Sequence, residues 1–381
     1  MEAFTFFTPV RIHFGMHGWR AALQAERELL QGSVLVVSTG RSLTRLGYLP
    51  ALLEELRTLR GGQECLLYDQ ISANPRLREV EEAVAIGREA QVDTVIGFGG
   101  GSAMDAAKAV AAGLGASCSV EEMLLQEIAP TTSTPRIIAI PTTAGTGSEL
   151  SKGAIISSPE HHIKTGIRGE HIYPAVAIVD SSFTWQIPRR TTVETGFDVL
   201  AHAVESLISK KATPLSRQLS VTCIELVGQN LPRLLVQPQD AGARDAMSYA
   251  SMLMGFNLGN VGTALPHRLQ YPIGAATDTS HGAGLMALYP GWLSYEYDYA
   301  PALVEQAMTA LVGQPCQGKA ACLEALQSFL TQLGERRTLQ ELGLRPEDVP
   351  VLAKQVTGNI ANDPAAAEPD IMVKLYEAAM R

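Results

Sequence analysis

Asp198 and His202 stand four residues apart in the stretch TGFDVLAHAVES, Thr195 to Ser206. On a helix that spacing points both side chains from one face. Further along, LPHRLQYPIGAATDTSHGAG supplies His267 on a helical pattern and His281 just before a glycine-rich turn. One carboxylate and three imidazoles form a donor set for Fe²⁺, Zn²⁺ or Mn²⁺, and an exchangeable position on such an ion would admit a substrate oxygen. The same spacing also suits a hydrogen-bonded Asp–His pair beside two unrelated polar histidines. The other histidines, His13, His17, His161, His162 and His171, fall in stretches that read as surface or loop.

A second kind of chemistry is suggested by GFGGGSAMDAAK, Gly97 to Lys108. It follows a strand-like run and opens an alanine-rich helix. Glycines at 99, 100 and 101 let a ligand approach the backbone, and the free N–H groups at the helix start favour a phosphate. The run is neither GxGxxG nor the GxxxxGK[ST] phosphate loop, so a purely structural turn fits as well. PTTAGTGSE, 141–149, is a second small, hydroxyl-rich turn after a strand. Two such turns at the carboxyl end of one sheet suit a dinucleotide. Asp105 is placed to cap or orient the helix start.

These turns need strands to carry them. VLVVST (34–39) and ECLLYD (64–69) are apolar runs of the kind buried in parallel sheets. So are the run opening DTVIGFGGG (93–101), RIIAIPTT (136–143) and AVAIVD (175–180). Helical spacing appears between them at 49–60 and in NPRLREVEEAVAIGREAQ (74–91), opened by Asn74 and Pro75. Alternating strands and helices imply a parallel sheet covered on both faces. After Asp180 the periodicity is almost wholly helical, with Gly/Pro-rich breaks near 259–284 and 312–318. The pattern predicts an α/β dinucleotide-binding domain over 1–182 and an all-α domain over 183–381.

Bulk properties narrow the class. The chain has 381 residues and a net charge of −9, with no run of Lys and Arg interleaved with aromatics, which argues against a nucleic-acid partner. Cys65, Cys118, Cys223, Cys316 and Cys322 are odd in number and contain no CxxC, against a disulfide framework or a cysteine-bound zinc. No window is long and apolar enough to span a membrane, and MEAFTFFTPVRIHFG is not a signal peptide. A cytoplasmic protein is expected. The same N-terminal stretch predicts an edge strand, which a homodimer would cover.

Taken together, GGGSAMDAAK, PTTAGTGSE and FDVLAH followed by His267 and His281 resemble the iron-containing (group III) alcohol dehydrogenases, the family of lactaldehyde reductase, butanol dehydrogenases and maleylacetate reductases. The resemblance runs from RIHFGMHG to NDPAAAEPDIMVKLYEAAM. It implies an N-terminal dinucleotide-binding domain and a helical domain holding one divalent metal, the architecture shared with dehydroquinate synthase. The ligands map onto Asp198, His202, His267 and His281, with Fe²⁺ expected and Zn²⁺ possible. NAD or NADP would contact Gly99, Gly100, Gly101 and Ser102, with Thr142, Thr143 and Thr146 beside them. Lys164, in HHIKTGIRG, matches a family lysine near the ribose and nicotinamide.

Three departures stand out. Where many members carry VTD, with an Asp for the adenosine ribose, this chain has VSTGRS, placing Gly40 and Arg41 there. Loss of that carboxylate beside an arginine makes NADP(H) feasible. Tyr271 replaces a histidine four residues after the third ligand, and Gly153 replaces an asparagine after the second turn. The implied activity is reversible hydride transfer between a nicotinamide and a small alcohol or aldehyde, with no catalytic residue beyond the metal centre. The rival readings are a dehydroquinate-synthase-like lyase that needs NAD and a metal, and a non-catalytic nucleotide-binding protein. Arg268, Lys210 and Lys211 are few cations for a polyanionic lyase substrate.

Overall fold

The computed structural model describes residues 3–161, 163–335 and 337–381; His162, one of the histidines assigned to the surface, lies outside them. The described residues form two compact units, Phe7–Ile187 and Pro188–Arg381, the latter joined by residues 3–6. The division falls after Ile187 because Phe183 still belongs to the first unit's core. Its ring packs edge-on against Tyr48 and Phe98, at 5.3 Å from each.

Among the described residues the first unit has eight strands: β1 (Arg11–Phe14), β2 (Val34–Ser38), β3 (Leu66–Tyr68), β4 (Thr94–Gly99), β5 (Arg136–Pro141), β6 (Gly153–Ser158), β7 (Ile163–Arg168) and β8 (Val176–Val179). Six of them form one parallel sheet in the order β1-β8-β5-β4-β2-β3. Its strands are continuously apolar because both faces are covered. Leu35, Val37, Val95 and Ile137 pack with the helices Leu77–Glu89 and Gly101–Gly115. Val34, Val36, Ile96, Ile138 and Ile140 pack with Trp19–Ala25 and Tyr48–Leu59 on the other side. The alanines of Gly101–Gly115 permit a close approach: a Cβ on Gly97 of β4 would lie 2.9 Å from that of Ala107.

The connection after β2 leads outward to β3, whereas the connection after β4 leads the other way to β5. Strand order therefore reverses between β2 and β4, and open α/β sheets bind ligands in the crevice such a reversal creates. The hairpin β6–β7 is antiparallel and separate from the main sheet.

The second unit is helical. Its longer helices are Arg189–Ile208, Pro214–Val236, Ala241–Asn260, Leu265–Thr277, His281–Tyr299, Pro301–Val312 and Lys319–Leu333. Start signals recognisable in sequence fix several of them. Thr213 accepts from Ser216 N with Pro214 at the first helical position, and Asp240 accepts from Ala243 N. The Gly/Pro-rich stretch expected to break helices near 259–284 is instead mostly helix, with Pro272 inside one helix and HGAG opening the next. Glycine serves close packing there. A side chain at Gly282 would collide with the Glu194 carbonyl, and one at Gly284 would lie 2.9 Å from Gln270 Cγ.

Candidate metal centre and coenzyme turn

The helix Arg189–Ile208 is buried continuously from Gly196 to Ile208, so Asp198 and His202 face protein and not water. A buried carboxylate with no compensating charge is costly. Here the partners are imidazoles. Asp198 Oδ1 has His267 Nε2 at 3.3 Å, His202 Nδ1 at 3.5 Å and His281 Nε2 at 3.6 Å. The rings of His202 and His267 are 4.2 Å apart, and those of His267 and His281 are 5.1 Å apart. Donor atoms of Asp198, His267 and His281 all lie within 4.8 Å of one another.

The residues fit a divalent cation. Metal–nitrogen bonds of about 2.0–2.1 Å in tetrahedral geometry set neighbouring donors roughly 3.3–3.5 Å apart, close to the three separations around Asp198. Among the described residues, His202 Nδ1 is buried without a hydrogen-bond partner. That nitrogen lies 3.5 Å from the Asp198 carboxylate, and its ring packs against His267, so a cation beside Asp198 would satisfy it, although His202 stands outside the compact set formed by Asp198, His267 and His281.

The surrounding contacts select ring tautomers. Glu205 Oε1 lies 2.6 Å from His267 Nδ1, so that nitrogen keeps its proton, and Nε2, which shares a proton with Asp198 at 3.3 Å, is the atom a cation would take over. Gln270 Oε1 contacts His281 Nδ1 and has the same effect on His281. Glu205 Oε2 also accepts from Ala264 N at 2.6 Å, while Asp363 Oδ2 accepts from Leu265 N at 3.0 Å and from Trp292 Nε1 at 2.9 Å. The two amides open the helix that carries His267, so two buried carboxylates cap it.

Electrostatics agree. Burial opposes charge on Asp198, but His202, His281 and His267 override it and hold the carboxyl down at about 2. Burial likewise opposes charging His267, yet Glu205 and Asp198 push it up to about 10. Burial and the His267 charge take His202 down to about 4. The protein groups alone thus gather one positive charge on His267 between two carboxylates. A metal ion would displace that proton, because an imidazole ligand must be deprotonated at the coordinating atom.

Tyr271, at the position of the family's extra histidine, is buried with its ring 6.3 Å from His281. The Arg268 guanidinium carbon also lies over its ring, 5.8 Å from the centroid.

In the first unit the two turns adjoin. A Cβ on Gly100 would lie 3.2 Å from Thr143 Oγ1, and one on Gly101 would lie 2.6 Å from Thr146 Cγ2. Thr142 N donates to Gly99 O at 2.8 Å. Gly99 adopts φ 152°, and a Cβ there would come 3.6 Å from Thr39 Oγ1 beyond the end of β2. The lining at the strand reversal is therefore backbone and small hydroxyls. Ser102 Oγ donates to the Ala73 carbonyl. Lys164 Nζ donates to Asn74 Oδ1 at 2.9 Å. Gly40 has φ 62° and ψ −84°, and Arg41 begins a short helix as an exposed residue.

Asp105 does not cap its helix. Its carboxylate accepts from Ser148 Oγ and, at 2.9 Å, from Ile155 N, and it pairs with the buried Lys108 at 3.0 Å. Lys108 donates in turn to Ser148 O, Ser148 Oγ, Ser151 Oγ and the Gly153 carbonyl. The pair pins the second turn and the start of β6 to the helix after the first turn. Glu149 is buried beside it, and burial pushes its carboxyl up to about 7 against the pull of Lys108.

Sequence reasoning missed Glu205, Gln270, Asp363 and Glu149. Two carried a signal. Glu205 is seven residues after Asp198 and Gln270 three after His267, so each shares a helix face with a ligand. Asp363 carried none.

Comparison with known proteins follows the same division. The model of the iron-containing alcohol dehydrogenases matches residues 9–181, and the C-terminal model of the Fe-containing alcohol dehydrogenase family matches 192–380. A sulfoacetaldehyde reductase of Bilophila wadsworthia is 30% identical over 388 residues, covering 99% of both chains. The solved structure of an archaeal halo-thermophilic Red Sea brine pool alcohol dehydrogenase aligns with a TM-score of 0.92 at 27% identity, covering 100% of this chain and 99% of that one. A sulfoacetaldehyde reductase from Bifidobacterium kashiwanohense in complex with NAD⁺ aligns at 0.88 and 25% identity, with the same coverage.

Proposed function

Because the chain belongs to the iron-containing alcohol dehydrogenases, we propose how its own residues divide the work of an NAD(H)-linked alcohol–aldehyde oxidoreductase. Asp198, His202, His267 and His281 hold the metal. When bound, the divalent ion supplies Lewis acidity to the substrate oxygen. Asp198 and Glu205 provide the negative charge that retains the ion, and Glu205 and Gln270 keep the Nε2 atoms of His267 and His281 available to it. Tyr271 packs against His281 and keeps that ring from rotating.

Gly99, Gly100, Gly101 and Ser102 receive the coenzyme pyrophosphate on backbone N–H groups at the start of Gly101–Gly115. Thr142, Thr143 and Thr146 flank it, Asp105 braces the second turn, and Lys164, with Gly40 and Arg41, contacts the sugar parts. The coenzyme role falls to the unit Phe7–Ile187 and the metal and substrate role to Pro188–Arg381. Among the described residues no helix is long and apolar enough to cross a membrane. A cytoplasmic homodimer belongs to the same reading. Its support is the edge position of β1 and the exposure of Phe7 and Phe14 at and before it.

The observation that carries the assignment is the orphaned His202 Nδ1 inside a cluster of one carboxylate and three imidazoles. The test is metal analysis of protein purified without chelator, beside His267→Ala, followed by an NADH-consumption assay with short aldehydes. About one equivalent of iron or zinc in the parent, lost in the variant together with on the order of 10³-fold or more of the rate, is expected. A parent that takes up no divalent metal even on anaerobic reconstitution defeats the assignment. Turnover with no net change in coenzyme absorbance would point to a lyase.

A further inference from the structure

We propose that Asp69, at the end of β3, is the residue that reads the adenosine ribose and makes the enzyme prefer NAD(H) to NADP(H). The proposal rests on the dehydrogenase reading above and adds a specificity residue to it.

Nucleotide-binding sheets of this kind place a carboxylate at a strand end to accept hydrogen bonds from the ribose hydroxyls, and that carboxylate repels a 2′-phosphate. In this chain the end of β2 cannot supply one. Gly40 holds φ 62° and ψ −84°, a backbone conformation that L side chains rarely adopt, and any Cβ there would collide with the Asp69 carbonyl oxygen. The carboxylate next door takes up that space. Asp69 Cβ and Oδ2 both lie 3.1 Å from where a Cβ on residue 40 would be.

The register brings the two together. Tyr68 pairs with Val37, so Asp69 falls level with the carboxyl end of β2, and Ile71 N donates back to Ser38 O at 3.3 Å. Along that edge the sequence of groups runs from Asp69 to Gly40, then Thr39 against Gly99, then Gly100 and Gly101 against Thr143 and Thr146. The pyrophosphate turn lies at the β4 end of this line, and the strand beyond β2 is β3. The adenosine half, extending away from the turn, meets the β2–β3 end.

Asp69 is half-buried, and among the described residues no hydrogen bond or ion pair engages its carboxylate. Arg41 is exposed and has no acidic partner among them. A 2′-phosphate would gain Arg41 but would have to lie against Asp69. A 2′-hydroxyl meets no such conflict.

Direct binding of NADH and of NADPH, followed by coenzyme fluorescence, should be measured for the parent and for Asp69→Asn and Asp69→Ser. Steady-state reduction of one aldehyde with each coenzyme completes the set. The parent should bind NADH at least tenfold more tightly than NADPH. Both variants should lose about tenfold or more in NADH affinity and coenzyme KM, with kcat within twofold, while NADPH binding holds or improves. Unchanged NADH affinity in both variants, or a parent that binds NADPH as tightly as NADH, overturns the role of Asp69 and leaves the dehydrogenase intact. A parent that binds neither coenzyme overturns the dehydrogenase reading and this proposal with it.

Discussion

The metal centre and the coenzyme turn solve opposite problems. At the metal centre the chain buries charge and, apart from His202 Nδ1, pairs the groups that hold the ligands: His267 with Glu205, His281 with Gln270, Ala264 N with Glu205 and Leu265 N with Asp363. At the coenzyme turn it removes side chains. Gly99, Gly100 and Gly101 leave bare backbone, and the neighbouring Thr143 and Thr146 stand where any added Cβ would press. One site is specified by what its residues carry and the other by what they lack. Substitutions should therefore fail in different ways at the two places.

The sharpest separation comes from Gly101→Ala. Its methyl group would press on Thr146, at 2.6 Å from Cγ2, and displace the second turn. Misplacement on the 1 Å scale costs about 10²-fold, so coenzyme KM should rise by roughly that factor. Metal content should stay at about one equivalent. Loss of metal in this variant would break the comparison. The converse is Glu205→Gln. It keeps the shape but weakens the partner that fixes the His267 tautomer, and outer contacts of this kind are worth about 10–100-fold in metal affinity. Competition against a chromophoric chelator should show that drop, with NADH binding unchanged.

The smallest effect tests a buried carboxylate of the coenzyme unit. Glu149 is held up at about 7 by burial, above an ordinary 4.5. Between those pH values the folded protein binds the proton more tightly than the unfolded chain, so stability falls as pH rises from 4.5 toward 7. Glu149→Gln removes that penalty. Its thermal unfolding should match the parent near pH 4.5–5 and exceed it at pH 8 by on the order of 1–3 kcal/mol. A constant difference across pH would show that Lys108 fully compensates the charge.

Legibility in the sequence followed the same contrast. The parallel strands were readable because both their faces are buried, which makes VLVVST and RIIAIP unbroken apolar runs. The hairpin β6–β7 was not, since GAIISS and IKTGIR alternate too weakly to separate from loop. The four candidate ligands were suggested by residue type and helical spacing. What held them was partly legible, for Glu205 and Gln270 repeat the ligands' helical phase. Asp363 could not be read, because it acts from 98 residues beyond the amide it caps. HGAG misled for a physical reason: its glycines admit the Glu194 carbonyl and Gln270, and they do not turn the chain. Asp105 misled likewise, because a carboxylate near a helix start looks like a cap until its partners at Ser148 and Ile155 are seen.

The doubly capped amides at Ala264 and Leu265 also set an order of events during synthesis. Glu205 precedes the helix it caps, but Asp363 follows it by 98 residues. At about 5–20 residues per second, the nascent helix bearing His267 waits on the order of 5–20 s for its second cap. Until then its amino end has one carboxylate where the finished protein has two, and Trp292 lacks the acceptor for its indole N–H. The metal cradle is thus a late-maturing, high-contact-order element of a largely local helical unit. The second cap thus awaits translation of the distant segment, by which point the coenzyme sheet, whose strands all lie before residue 180, has been synthesised.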